Sequence, residues 1–190
     1  MITHYLFDLD DTLISNKIYS AIYPEVCQLI ENKGFSVEDT AKKHSIRINK
    51  YGRYDSGLLC EKLGLLDEYY KILEKHIEVV HVLHDNVEGV LTKAKMTGIV
   101  AIISNSMRRT IEAYLHKYKL NKYIDFIFCI DDAVCKKNHE EFWKKLIAKH
   151  NLKPEKCLVI GDNPIDDIKV PTRFGFKTFL VENSGDLLSS

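Results

Sequence analysis

The chain has 190 residues with 27 basic and 27 acidic side chains, a formal net charge of zero. That length fits one domain, or one domain carrying an insertion. Without a charge excess there is no reason to expect nucleic acid or a membrane surface as a partner.

The first predicted element is an apolar, aromatic run from His4 that reads as a buried strand and ends in three carboxylates, Asp8, Asp10 and Asp11. Carboxylates resist crowding unless something positive neutralises them. Side chains alternate along a strand, so Asp8 and Asp10 are expected on one side, converging on one cation, while Asp11 makes a turn. From about residue 15 to residue 84 the rhythm is helical. Ile18, Ile22, Val26 and Ile30 mark a first helix stopped at Gly34, and Ser36 with Asp39 resembles a capping box opening a second. A third helix is expected from Asp55 to Leu63 and a fourth from Asp67 to about Val82. Lys43, Arg47, Lys50 and Tyr54 fall at helical spacing and read as a solvated basic face or a place to hold an anion, with Tyr51 to Tyr54 a candidate for specificity.

After Asn86 the pattern alternates. Helices are expected over Val87–Thr97, Arg109–Lys119 and Glu140–His150, with a short one near Val170–Phe174. Strands are expected over Ile99–Ile103, Ile124–Ile130, Cys157–Ile160 and Lys177–Val181. Trp143 reads as packing. Apolar strands alternating with helices predict an α/β fold, a Rossmann-like parallel sheet covered on both faces. The predicted division is a core of residues 1–14 and 85–190 and an all-helical insert of residues 15–84 after the first strand. No leader pattern is read before that strand, and no apolar run reaches the length of a bilayer span. The five cysteines are odd in number and form no C-x-x-C pair, so neither a disulfide framework nor a zinc knuckle is indicated, and a cytoplasmic location is expected.

In a parallel α/β sheet the ligand sits beyond the carboxyl ends of the strands. That rule gathers Asp8 and Asp10, Ser104 and Asn105, a lysine at 136 or 137, and Asp162 with Asp166 and Asp167. Singly, each has an ordinary alternative: a helix cap, a turn, or a solvated lysine pair. Together and in order, they resemble the four motifs of the haloacid dehalogenase-like superfamily of aspartate-nucleophile phosphatases, from residue 4 to about 182. The first is Asp8-Leu9-Asp10-Asp11-Thr12, the second Ile102-Ile103-Ser104-Asn105, and the fourth Gly161-Asp162-Asn163-Pro164-Ile165-Asp166-Asp167. The third follows a Lys-Pro-Asp-Pro-Glu-x-Phe pattern. Matching backwards from Phe142 puts the lysine at Lys136, with Lys137 the alternative because the usual proline is missing.

The resemblance implies a C1-capped fold, with the helical insert in the place of the cap, and a Mg²⁺-dependent phosphatase acting on a small phosphorylated metabolite such as a nucleoside monophosphate or a sugar phosphate. It implies Asp8 as nucleophile and metal ligand, and Asp10 as general acid and base whose backbone carbonyl also meets the metal. Asp162 completes the metal site, and Ser104, Asn105 and the lysine bind phosphate. Asp167 is the favoured further carboxylate behind the metal, with Asp166 expected to cap the next helix. A phosphomutase using the same residues and a non-catalytic phosphate-binding regulatory protein are the competing readings. The sequence is silent on oligomeric state.

Overall fold

The computed structural model describes residues 1–49 and 51–182. The chain divides into two compact units, one formed by Met1–Ser15 with the chain from Val82 onward and one by Asn16–His81.

The first unit is an α/β fold built on a five-stranded parallel sheet in the order β3-β2-β1-β4-β5. Its strands are β1 (His4–Phe7), β2 (Ile99–Ser104), β3 (Phe126–Cys129), β4 (Cys157–Gly161) and β5 (Lys177–Leu180). Four helices of the second unit precede the helices of this unit in the chain. Those of this unit are α5 (Val87–Thr97), α6 (Arg108–Lys117), α7 (Ile130–Ala133), α8 (Glu140–His150) and α9 (Val170–Thr172).

The register explains the core. Leu6 pairs with Ala101 and Val159, and Ile103 with Phe128. These residues share one face and pack in a single buried cluster with Phe142, Trp143 and Leu146 of α8. Phe7, Ile102 and Ile160 form the next row on the opposite face, also buried. Each large side chain buried this way contributes about 1.5–3 kcal/mol. Being apolar on both faces, these strands read as continuous hydrophobic runs.

Three elements depart from expectation. The third strand is shorter than Ile124–Ile130, because Ile130 opens α7, whose first turn is held by the Asp132 carboxylate accepting from the Cys129 N–H at 3.0 Å. A four-residue helix leaves no periodic trace. Before α9 lies a π-helical turn at Pro164–Lys169 that the apolar pattern did not announce. The first strand ends at Phe7, before the acidic run.

The second unit holds α1 (Lys17–Asn32), α2 (Val37–Lys43), α3 (Ser56–Leu63) and α4 (Leu66–Val79). Ile18, Ile22, Val26 and Ile30 are buried along α1, and Leu73 and Ile77 along α4. The Ser36 side chain accepts from the Asp39 N–H at 3.1 Å and starts α2, and the Asp55 carboxylate accepts from the Leu58 N–H at 3.0 Å and starts α3. The expected basic helical face does not form. Helix α2 ends at Lys43, and Ser45 takes a left-handed φ of 55°. Arg47 therefore lies beyond the helix, and Lys50 lies outside the described residues. The Asn49 side chain instead accepts from the Tyr51 and Arg53 N–H groups. Arg53 donates to the Ser20 hydroxyl at 2.6 Å and its guanidinium lies 5.5 Å from the Tyr51 ring centre.

Candidate active site

All the site residues described next belong to the first unit. Asp8 follows β1 directly, and its N–H extends the ladder to the Ile160 carbonyl at 2.8 Å. Its carboxylate therefore leaves the sheet on the Leu6 side. The chain then wraps around one atom: the Leu9 carbonyl accepts from the N–H groups of Thr12, Leu13 and Ile14, with Asp11 left-handed at φ 60°. This turn buries Thr12 completely and lets its hydroxyl donate to Asp8 Oδ2 at 3.3 Å.

Asp8 and Asp10 do not converge by strand alternation, because the strand has already ended. The Asp10 carboxylate instead accepts a 2.7 Å bond from the Ser106 hydroxyl. Ser106 also donates its N–H to Ser104 Oγ at 3.0 Å, tying the turn after β2 to the turn after β1. Ser104 is fully buried at the end of β2.

Of the two candidate lysines, the structure brings Lys137 to the carboxylates and not Lys136. Lys136 is exposed, whereas Lys137 is buried and its ammonium donates to Asp8 Oδ1, to Asp167 Oδ1 at 2.6 Å and to the Ile103 carbonyl at 3.5 Å. Its three N–H donors thus have three acceptors. The difference from the sequence expectation is one of register. Phe142 and Trp143 are adjacent and both buried, and it is Trp143 that stands six residues after Lys137. Trp143 does more than pack, because its indole N–H donates to the Lys137 carbonyl at 2.7 Å.

Asn105 holds two motifs together. Its side-chain carbonyl accepts from the Lys137 N–H at 2.8 Å, and its NH₂ group donates to Asp166 Oδ2 at 2.7 Å. Asp166 therefore does not cap the following turn. Asn163 does, its side chain accepting from the N–H groups of Ile165 and Asp166. Asp167 is fully buried, and its second oxygen accepts from the Asn163 N–H at 3.1 Å. Gly161 makes room for it: a Cβ at that position would run into the Asp167 carboxyl group.

Carboxylate oxygens of Asp8, Asp162 and Asp167 lie within 4.8 Å of one another. Burial pushes the Asp8 carboxyl well above its usual range, with Asp167 and Asp10 adding to that push against the pull of Lys137. Asp167 and Asp8 hold the Lys137 ammonium in its charged form, against the cost of its burial. One ammonium among three acids leaves an excess of negative charge. An all-oxygen, acid-rich site of this kind fits a hard divalent cation such as Mg²⁺.

Comparison with known proteins gives the same architecture. The family model for haloacid dehalogenase-like hydrolases matches residues 2–175. Pyrophosphatase PpaX of Bacillus mycoides is 26% identical over 163 residues, covering 85% of this chain and 75% of that protein. Its counterpart in a Bacillus cereus strain is 27% identical over 163 residues, with 85% and 74% covered. Among solved structures, a HAD phosphatase from Thermococcus onnurineus superposes with a TM-score of 0.75 at 18% identity, over 95% of this chain and 86% of that one. The magnesium-bound HAD-hydrolase YfnB from Bacillus subtilis, itself described as putative, superposes with a TM-score of 0.65 at 20% identity, over 95% and 88%.

Proposed function

Because the chain belongs to the haloacid dehalogenase-like hydrolase family, we propose that it is a Mg²⁺-dependent phosphatase that hydrolyses a small phosphorylated metabolite through a phosphorylated Asp8. The observation that carries this reading is the burial of Lys137 between Asp8 and Asp167, with Asp162 beside them. A phosphate monoester dianion repels nucleophiles, so its uncatalysed hydrolysis is among the slowest reactions known. Catalysis must supply positive charge and in-line placement.

In this reading an Asp8 oxygen attacks phosphorus as the bond to the leaving oxygen breaks, and Asp10 gives that oxygen a proton. Asp10 then takes a proton from water, which attacks phosphorus, releasing phosphate and restoring the Asp8 carboxylate. The Ser106 hydroxyl keeps the Asp10 carboxylate aimed while it changes roles. Lys137 stabilises the charge that builds on the transferring group. Ser104 and the backbone at Asn105 line the phosphate site. Asp8, Asp162 and the Asp10 carbonyl, with Asp167 behind them, would hold Mg²⁺, which supplies charge neutralisation at the phosphoryl oxygens.

The PpaX relatives put inorganic pyrophosphate first among substrates to try, beside nucleoside monophosphates and sugar phosphates. The five cysteines are all free thiols, which suits a reducing compartment such as the cytoplasm. No described helix is long and apolar enough to cross a membrane.

The test is release of phosphate from a generic aryl phosphate and from pyrophosphate. Turnover is expected with Mg²⁺, none with EDTA, and none in Asp8→Asn with the circular dichroism unchanged. Wild-type turnover in Asp8→Asn would overturn the reading.

A further inference from the structure

Trp143 is the single tryptophan of the chain. Its ring meets Phe142 and Phe176 at centroid distances of 5.6 and 5.3 Å, contacts that a phenylalanine could also make. The indole N–H has a separate task. It donates to the Lys137 carbonyl at 2.7 Å in a buried bond, while the Lys137 N–H is held at 2.8 Å by Asn105. The peptide groups on both sides of the Lys137 Cα are therefore pinned, one to helix α8 and the other to the turn after β2.

The segment that carries Lys137 needs this. Residues 134–139 lie between α7 and α8 in neither helix nor strand, contain no proline, and begin at Val134 with φ 58°. Lysine has a long, flexible side chain that can place its ammonium accurately only if its backbone is fixed. We propose that Trp143 is a positioning residue for the hydrolysis: its indole bond sets the Lys137 backbone so that the ammonium reaches Asp8 and the transferring phosphoryl group. This rests on the reaction proposed above.

Because tryptophan occurs once, growth with a tryptophan analogue carrying sulfur in place of the indole N–H changes one position and keeps its shape. Trp143→Phe serves as the second variant. Turnover of an aryl phosphate with Mg²⁺ is expected to fall about 10- to 100-fold, with KM within about threefold and Tm within about 3 °C. In a Lys137→Met background the same changes are expected to have no further effect, because the group they position is gone. An unchanged kcat in both variants, or an equal fractional loss with and without Lys137, overturns the proposal. The single indole N–H proton, followed by NMR, is expected to exchange slowly with solvent, and exchange at the rate of a free indole also overturns it. An inactive wild-type chain overturns the hydrolase reading instead, and the exchange measurement then still decides whether the clamp exists.

Discussion

Lys137 carries one positive charge into a pocket of acids, and the consequences of removing it are specific. Lys137→Met leaves Asp8 and Asp167 facing each other without a cation. Hydrolysis is expected to drop about 10²- to 10³-fold, while Lys136→Met, at an exposed position, stays within about twofold. Parallel kinetics on the two variants check the assignment, and an inverted result would restore Lys136. At Gly161, alanine would force its methyl group into the Asp167 carboxyl group. Overpacking of this kind costs about 1–3 kcal/mol, so Gly161→Ala is expected to lower the urea midpoint and to disturb the acid cluster together with the fold. Val134 is the converse case. It is exposed and branched at Cβ, yet left-handed at φ 58°. Val134→Gly removes that strain and is expected to gain stability of about 0.5–1 kcal/mol, after the entropy of a more flexible unfolded chain is subtracted. A fall in stability would show that Val134 is not strained.

Helices α7 and α8 are joined by a small ionic cluster. Asp132 accepts from Arg108 at 2.6 Å and from Lys149 at 2.7 Å, and Lys145 donates to the Ala133 carbonyl at 2.8 Å. Burial works against ionisation of Asp132, but Lys149, the Cys129 N–H and Arg108 outweigh it and hold the carboxyl below its usual range. A carboxyl depressed in the folded state contributes stability above its unfolded pKa of about 3.9 and loses that contribution as pH falls through the lower folded value. Asp132→Asn is therefore expected to cost about 2 kcal/mol at neutral pH, with the gap to wild type closing in acid. Urea midpoints at pH 7 and below pH 4 check this, and a gap independent of pH would refute it. The long elements were legible in the sequence because their burial is periodic, as in α1 and α5, or continuous, as in β2 and β4. Short ones such as α7 and the turn at Pro164–Lys169 are set by one or two backbone N–H groups donating to the Asp132 and Asn163 side chains, which leaves no pattern. The choice between Lys136 and Lys137 was not legible for a related reason. Apolar periodicity does not distinguish Phe142 from Trp143, and the indole bond that does so exists only in three dimensions. The carboxylates at the strand ends could be named, but the clasp of Asn105 on the Lys137 and Asp166 segments depends on side-chain direction and could not.

The chain leaves the first unit and returns to it at one place. Ser15 donates its N–H to the Val82 carbonyl at 2.7 Å, His84 donates to the Leu13 carbonyl at 3.0 Å, and Ile14 bridges Leu83 in antiparallel fashion. Everything from Asn16 to His81 is spliced between neighbouring backbone groups. Replacing residues 16–81 with a short Gly/Ser turn is expected to leave a chain that unfolds cooperatively and keeps its sheet, since the ends to be joined already touch. Loss of a cooperative urea transition in that variant would show that the sheet depends on the insert. The central place of β1 has a further consequence. Its partners begin at Ile99 and Cys157, so β1 leaves the ribosome well before either of its neighbours is made. Pairing so distant in sequence is slow to form and exposes apolar edges meanwhile. The acid cluster shares that delay, because Asp8 meets Asp162 and Asp167 only after the fourth strand has been synthesised.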